Sequence, residues 1–196
     1  MNQSRSELRQ KLRSLRNGLS ESHRAAHDEA IGRYLLELVK ARRAGSIACY
    51  CPFNGEPDIT PVYKQLMADG SRLALPVINR ESTGRLEFHA WRADTDLAKN
   101  WYGIFEPPPT GIVPVSSLDM LIVPLVGYDR FGNRLGMGAG YYDRCLESIR
   151  DLDNPLRVGV AYSLQEMEPL AAEAWDVPLH GLVNEHGWIS FGVRQP

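Results

Sequence analysis

An apolar run breaks into a crowd of glycines near the middle of this chain, and that junction leaves few folds open. Residues 120–126 (MLIVPLV) lie between Asp119 and Gly127 and are short enough for a buried strand. Five glycines, at 127, 132, 136, 138 and 140, follow together with Asn133 within fourteen positions. Tyr142, Cys145, Leu146 and Ile149 then recur at i, i+3, i+4 and i+7, which predicts a helix. Strand, glycine-rich loop and helix form the layout in which main-chain N–H groups and a helix N-terminus cradle phosphate.

Arg134 offers this loop a guanidinium suited to bidentate pairing with phosphate oxygens. Asp143, in the first turn of the helix, is placed to hold Mg²⁺ through one carboxylate. The spacing is G-x-G-x-G, so the dinucleotide fingerprint is missing, and no Gly-Lys-Ser/Thr of a Walker loop follows. By itself the segment also fits an ordinary glycine-rich turn before a helix.

The flanking sequence supplies more strands and helices. Leu8, Leu12, Leu15 and Leu19 mark a first helix over residues 6–17, its other face carrying arginines and Gly18 ending it. Ser20 caps a longer second helix with a stripe of Ile31, Tyr34, Leu35, Leu38 and Val39. Residues 46–51 read as a strand opening into the turn-rich FNGEPD loop. Ligands bind at that carboxyl edge in open α/β sheets. Thr60 before Pro61 reads as the cap of a helix to about Asp69, and residues 72–76 as the next strand. Residues 86–90 read as an antiparallel strand near an edge, and residues 94–111 as an irregular functional loop. Residues 157–161 predict a parallel strand beside the central one, and LVN and WISF two short strands around a turn. The expected fold is α/β, a three-layer sandwich with a mainly parallel central sheet, forming one domain over residues 1–196.

Composition narrows the function. The chain is 43% hydrophobic and 23% charged, as in ordinary globular proteins, and its net charge of −2 argues against nucleic acid as a partner. Residues 1–24 hold six cations against Glu7 and Glu21, so this segment is +4 and the rest −6. No apolar window is long enough to span a membrane and no signal-peptide core is present, so the cytoplasm is expected. Cys49, Cys51 and Cys145 cannot all pair, and Cys49 and Cys51 read as two small thiols in or near the core. His23, His27, His89 and His186 read as surface or structural residues.

The string from Gly127 through Asp129, Gly132, Asn133, Arg134, Leu135, Gly136, Gly138 and Gly140 to Tyr141-Tyr142-Asp143-Arg144 resembles the signature of the 5-formyltetrahydrofolate cyclo-ligases. The likeness extends over most of the chain: Arg5-Ser6-Glu7-Leu8-Arg9 resembles the family's Lys-x-x-Leu-Arg, Gly55-Glu56-Pro57-Asp58 its Gly-Glu-x-Asp, and Gly103 to Pro107 its Gly-Ile-x-Glu-Pro. The resemblance implies a fold like that of sugar-phosphate isomerases and deaminases. It also implies an ATP- and Mg²⁺-dependent cyclisation of 5-formyltetrahydrofolate to 5,10-methenyltetrahydrofolate, with ADP and phosphate released.

By the same resemblance, Arg5 and Arg9 contact ATP together with Arg134, Leu135, Gly136, Met137, Gly138, Ala139, Gly140, Tyr141 and Tyr142, and Arg134 and Tyr141 act in catalysis. Met137 to Tyr141 also face the folate, with Cys51 and Glu56, while Asp143 and Asp176 hold the metal. Trp101, from its type and its irregular loop, is expected to stack on the pterin. Without the family, Glu56 reads as a solvated loop acid and Asp176 as a turn residue. His180 stands where the family has aspartate and Trp175 where it often has histidine, which implies weaker Mg²⁺ affinity if the first position serves the metal. A monomer is expected. Two other readings are compatible with the residues alone: a sugar-phosphate isomerase or deaminase needing no ATP, and an RNA-binding module docking through the basic first helix.

Overall fold

Hydrophobic alternation along the central strands decides the layering. In the computed structural model, which describes residues 4–79, 85–170, 173 and 176–192, Met120 and Ile122 enter one core and Leu121 and Val123 the other. A strand buried on both faces needs cover on both. Helix α1 (Arg5–Asn17) begins at a capping box in which Ser4 and Glu7 exchange hydrogen bonds, and α2 (Glu21–Arg42) is capped by Ser20. Then come β1 (Ser46–Ala48), α3 (Thr60–Ala68), β2 (Arg72–Asn79) and β3 (Arg85–Trp91). A small hairpin, β4 (Ala98–Lys99) with β5 (Phe105–Glu106), precedes the edge strand β6 (Ile112–Val113). The middle strand β7 (Met120–Pro124) leads through the hairpin β8 (Gly127–Tyr128) and β9 (Arg134–Leu135) into α4 (Tyr141–Glu147). Strands β10 (Leu156–Val160), β11 (Gly181–Asn184) and β12 (Gly187–Ser190) follow.

The main sheet runs β12-β11-β10-β7-β1-β2-β3-β6. Its middle strands are parallel and the outer ones, β12, β3 and β6, antiparallel. Residues of α2 and α3 pack one face, with Leu35, Val62 and Leu66 against Ile47 and Ile122. The other face meets α4 through Cys145 and Leu146, against Phe88, Leu121 and Val123. The expected α/β layering is present, with β10 beside β7 and the final two strands as a hairpin. Among the described residues no helix is long and apolar enough to cross a membrane.

Several local expectations are corrected. Strand β1 stops at Ala48, before Cys51, and β7 at Pro124, before Val126, because the chain leaves the sheet there to build the loops of the carboxyl edge. Strand β2 continues past Pro76 to Asn79, paired with β3 as far as Arg85. Ile59, not Thr60, caps α3; Thr60 is already helical, and its main-chain N–H donates to Asp58 at 2.9 Å. His89 is buried in β3, the structural one of the two roles read for it. On the arginine-bearing face of α1, Arg16 is fully buried.

Candidate active site at the carboxyl edge of the sheet

Chain leaving the parallel strands walls a cleft of about 510 Å³. Cys51 and Glu56 reach it from the loop after β1, Pro76 and Ile78 from β2, Pro124 from the end of β7, and the glycine loop from beyond β9. Helix α1 closes one side with Arg5 and Arg9, and the β4–β5 hairpin closes another with Asn100, Tyr102, Ile104 and Glu106. Of the residues expected at the site, Arg5, Arg9, Cys51, Glu56, Arg134, Gly136 to Asp143 and Asp176 all line this one space. Leu135 does not; it is buried against Leu12 and Val126 and fastens the loop to α1. Trp101 is not among the lining residues; its ring leans on Tyr102, 5.0 Å between centroids, and Tyr102 takes the place beside the cleft. Trp175 lies outside the described residues.

The loop is braced from beneath. Asp129 is fully buried and accepts from the main-chain N–H groups of Phe131 (2.9 Å), Asn133 (3.0 Å) and Leu170 (3.0 Å), and from the Asn133 amide at 2.7 Å. Asp129→Ala strands these donors and is expected to cost about 4 kcal/mol. Urea unfolding checks this, and a loss below about 1 kcal/mol would contradict the brace. Gly138 (φ 109°) and Gly140 (φ 70°) take left-handed conformations that side chains resist. Arg9 Nε donates to the Gly136 carbonyl at 2.8 Å, tying α1 to the loop.

Arg134 is 4% exposed at its side chain, donating to the Val177 carbonyl and pairing with Asp143. Burial works against its charge, while Asp143 and Asp176 support it. Asp176 accepts from Arg5 at 3.2 Å and from the Glu173 N–H at 3.0 Å. The two carboxylates expected to bind metal are thus each held by an arginine, with one oxygen of each lacking a protein partner among the described residues. His180 is elsewhere. It sits at the amino edge of β10 and β11, where its Nδ1 accepts from the Arg157 N–H at 2.9 Å. Burial, and then Arg157, push its imidazole down to about 4. The aspartate-to-histidine change therefore concerns Arg157 and not the cleft.

The opposite end is apolar and acidic. Burial pushes the Glu56 carboxyl up to about 7, against the pull of Arg16 and of the Phe53 N–H, which donates to it at 3.1 Å. Glu106 accepts from the Ile78 N–H at 3.1 Å and from Asn100 at 2.7 Å. Sequence reasoning missed Glu106, Asn100 and Tyr102, although the first lies in the Gly103 to Pro107 segment that carried part of the resemblance. Burial, with Glu106 nearby, pushes the Cys51 thiol up to about 12. It is a neutral wall rather than a nucleophile. Alkylation of the native protein at pH 8 is expected to leave Cys51 largely unmodified by peptide mass mapping, and rapid labelling would refute this. Across the mouth the hydroxyls of Tyr102 and Tyr141 stand 3.3 Å apart.

Sheet, braced loop and cleft define an α/β enzyme whose site lies beyond the carboxyl ends of parallel strands. A model of the 5-formyltetrahydrofolate cyclo-ligase family matches residues 1–185. The chain belongs to that family. The 5-formyltetrahydrofolate cyclo-ligase of Haemophilus influenzae is 34% identical over 183 residues, covering 92% of this chain and 97% of its own. That of Escherichia coli K12 is 34% identical over 174 residues, covering 88% and 95%. The NMR structure of Aquifex aeolicus 5,10-methenyltetrahydrofolate synthetase superposes with a TM-score of 0.83 at 33% identity, covering 98% of this chain and 95% of that one.

Proposed function

We propose that the cleft closes 5-formyltetrahydrofolate to 5,10-methenyltetrahydrofolate at the expense of ATP, the triphosphate lying on the glycine loop and the pterin between Glu56, Cys51 and the β4–β5 hairpin. The supporting observation is the polarity of the cleft: guanidinium groups of Arg5, Arg9 and Arg134 at one side, and the carboxyl groups of Glu56 and Glu106 among apolar walls at the other. Phosphate oxygens accept and seek the first; the N–H groups of a reduced pterin donate and seek the second.

The reaction then needs positioning more than covalent help. The formyl oxygen attacks the γ-phosphorus, its bond to the β-bridging oxygen breaks, and ADP departs, leaving an N5-iminium phosphate. N10 adds to the activated carbon and gives up its proton, and the carbon–oxygen bond breaks to release phosphate. Arg134, fixed by Val177 and Asp143, holds its charge where that phosphate forms, and Tyr141 closes over it from the rim. Met137, Ala139 and Tyr142 complete the wall shared by the two substrates. Asp143 and Asp176 suit Mg²⁺, since both are hard oxygen donors with a spare oxygen. Among the described residues no cluster of three acids, histidines or cysteines exists, so phosphates and water would complete the shell. The ion would supply charge neutralisation on the phosphates.

Mixing the protein with 5-formyltetrahydrofolate, Mg²⁺ and ATP is expected to raise the near-ultraviolet absorbance of the methenyl product, with one ADP formed per ring closed. Folate binding without nucleotide consumption would overturn the proposal.

A further inference from the structure

Arg16 is the one arginine of α1 that never reaches the cleft or solvent, and the mechanism above leaves it unused. It is fully buried. Its guanidinium donates to the Asn54 carbonyl at 2.7 Å and to the Leu125 carbonyl at 3.3 Å, while Nε has no partner. Among the described residues no carboxylate lies within ion-pairing distance of it. A buried cation satisfied only by two carbonyls is costly and calls for a reason.

Asn54 and Gly55 are consecutive left-handed residues, at φ 52° and 80°, immediately before Glu56. Such a loop holds its shape only where its surroundings impose it. Arg16 takes one of its carbonyls; Arg24, from α2, takes the other, donating to Gly55 at 2.8 Å and back to the Arg16 carbonyl at 2.9 Å. At Gly55 an added Cβ would lie 2.3 Å from the Asn17 side chain, so the α1–α2 corner is moulded to this loop.

We infer that Arg16 is a positioning residue for folate recognition: it fixes the Glu56 loop through its main chain and seats a buried positive charge against the Asn54 carbonyl, two residues before Glu56. This rests on the folate reading of the cleft. Other groups bearing on Glu56 are the Phe53 N–H and Tyr50 of the same loop and Tyr142 of α4, none of them cationic. Burial alone drives that carboxyl toward its neutral form and Arg16 opposes it. A carboxylate accepts N–H donors with both oxygens, a carboxylic acid with fewer, so the charge on Arg16 sets the pH at which the pterin end becomes competent.

Two variants separate the clamp from the charge. Arg16→Lys keeps the cation but loses the fork. It is expected to raise the KM for folate about fivefold, leave the KM for ATP within about twofold, and keep the rise of kcat/KM with pH where the wild type has it. Arg16→Met keeps the apolar stem and loses the charge, and should move that rise upward by about one pH unit. A folate KM within about twofold of wild type in Arg16→Lys, or both substrates' KM values rising together, overturns the inference. So does an Arg16→Met profile that coincides with the wild type. Should Arg16→Met not fold, the Arg16→Lys KM values decide alone. Wild-type protein that forms no methenyl product removes the proposed function instead, which the Arg16 variants cannot mimic.

Discussion

Arg134→Ala is expected to reduce turnover about a thousandfold and to lower stability by about 2–3 kcal/mol. On the proposed reading, the catalytic loss follows from removing a charge already in place where the transferred phosphoryl group develops its own. The stability loss is added by the structure. From sequence alone the side chain reads as a guanidinium offered to phosphate oxygens. It is instead bound to the Val177 carbonyl and to Asp143, which both lose their partner. Arg134→Lys should recover part of the stability and little of the rate, since one ammonium group cannot reproduce the fork. Product absorbance and urea unfolding measure the two quantities separately. Turnover within about tenfold of wild type in the alanine variant would end the present reading of the loop.

Gly136 gives the complementary case. A Cβ built there meets nothing within 4 Å, and its φ lies outside the left-handed range, so the folded chain makes no demand for glycine. A phosphate chain lying against the main chain does make one. Gly136→Val is therefore expected to unfold within about 0.5 kcal/mol of wild type while the KM for ATP rises about a hundredfold. Gly138→Ala should behave differently. The backbone there stands at φ 109°, so the substitution strains the protein whether or not nucleotide is present, by about 1–3 kcal/mol. Equal ATP affinity in wild type and Gly136→Val would place the nucleotide elsewhere.

What the sequence showed and what it hid divide along physical lines. Elements with strong periodicity were legible: α1 and α2 from their leucine and isoleucine spacing, the buried β7 from its uninterrupted apolar run, and β10 beside it from the handedness of crossovers. The glycine loop was legible because its backbone needs residues that are rare in such density. Side chains whose roles arise from contacts distant in sequence were not. Arg16 has the spacing of a surface arginine, and only packing against Leu125 and Asn54 turns it inward. Trp101 and Tyr102 are adjacent aromatics, and the small hairpin decides that the second borders the cleft. His180 was linked to the metal because it stands where the family has aspartate, yet the chain carries it to the other edge of the sheet, beside Arg157.

Helix α1 commits only Leu12 and Arg16 to full burial, Leu12 in a small satellite cluster with Val126 and Leu135. It nonetheless carries two of the three arginines in the cleft. An element so lightly seated opens more often than the sheet it leans on. Its amides should exchange with deuterium well before those of β7, and saturating nucleotide should slow them far more than it slows the rest of the chain. Nucleotide would then be a fastener as well as a reactant, seating the helix whose buried arginine presents the folate loop.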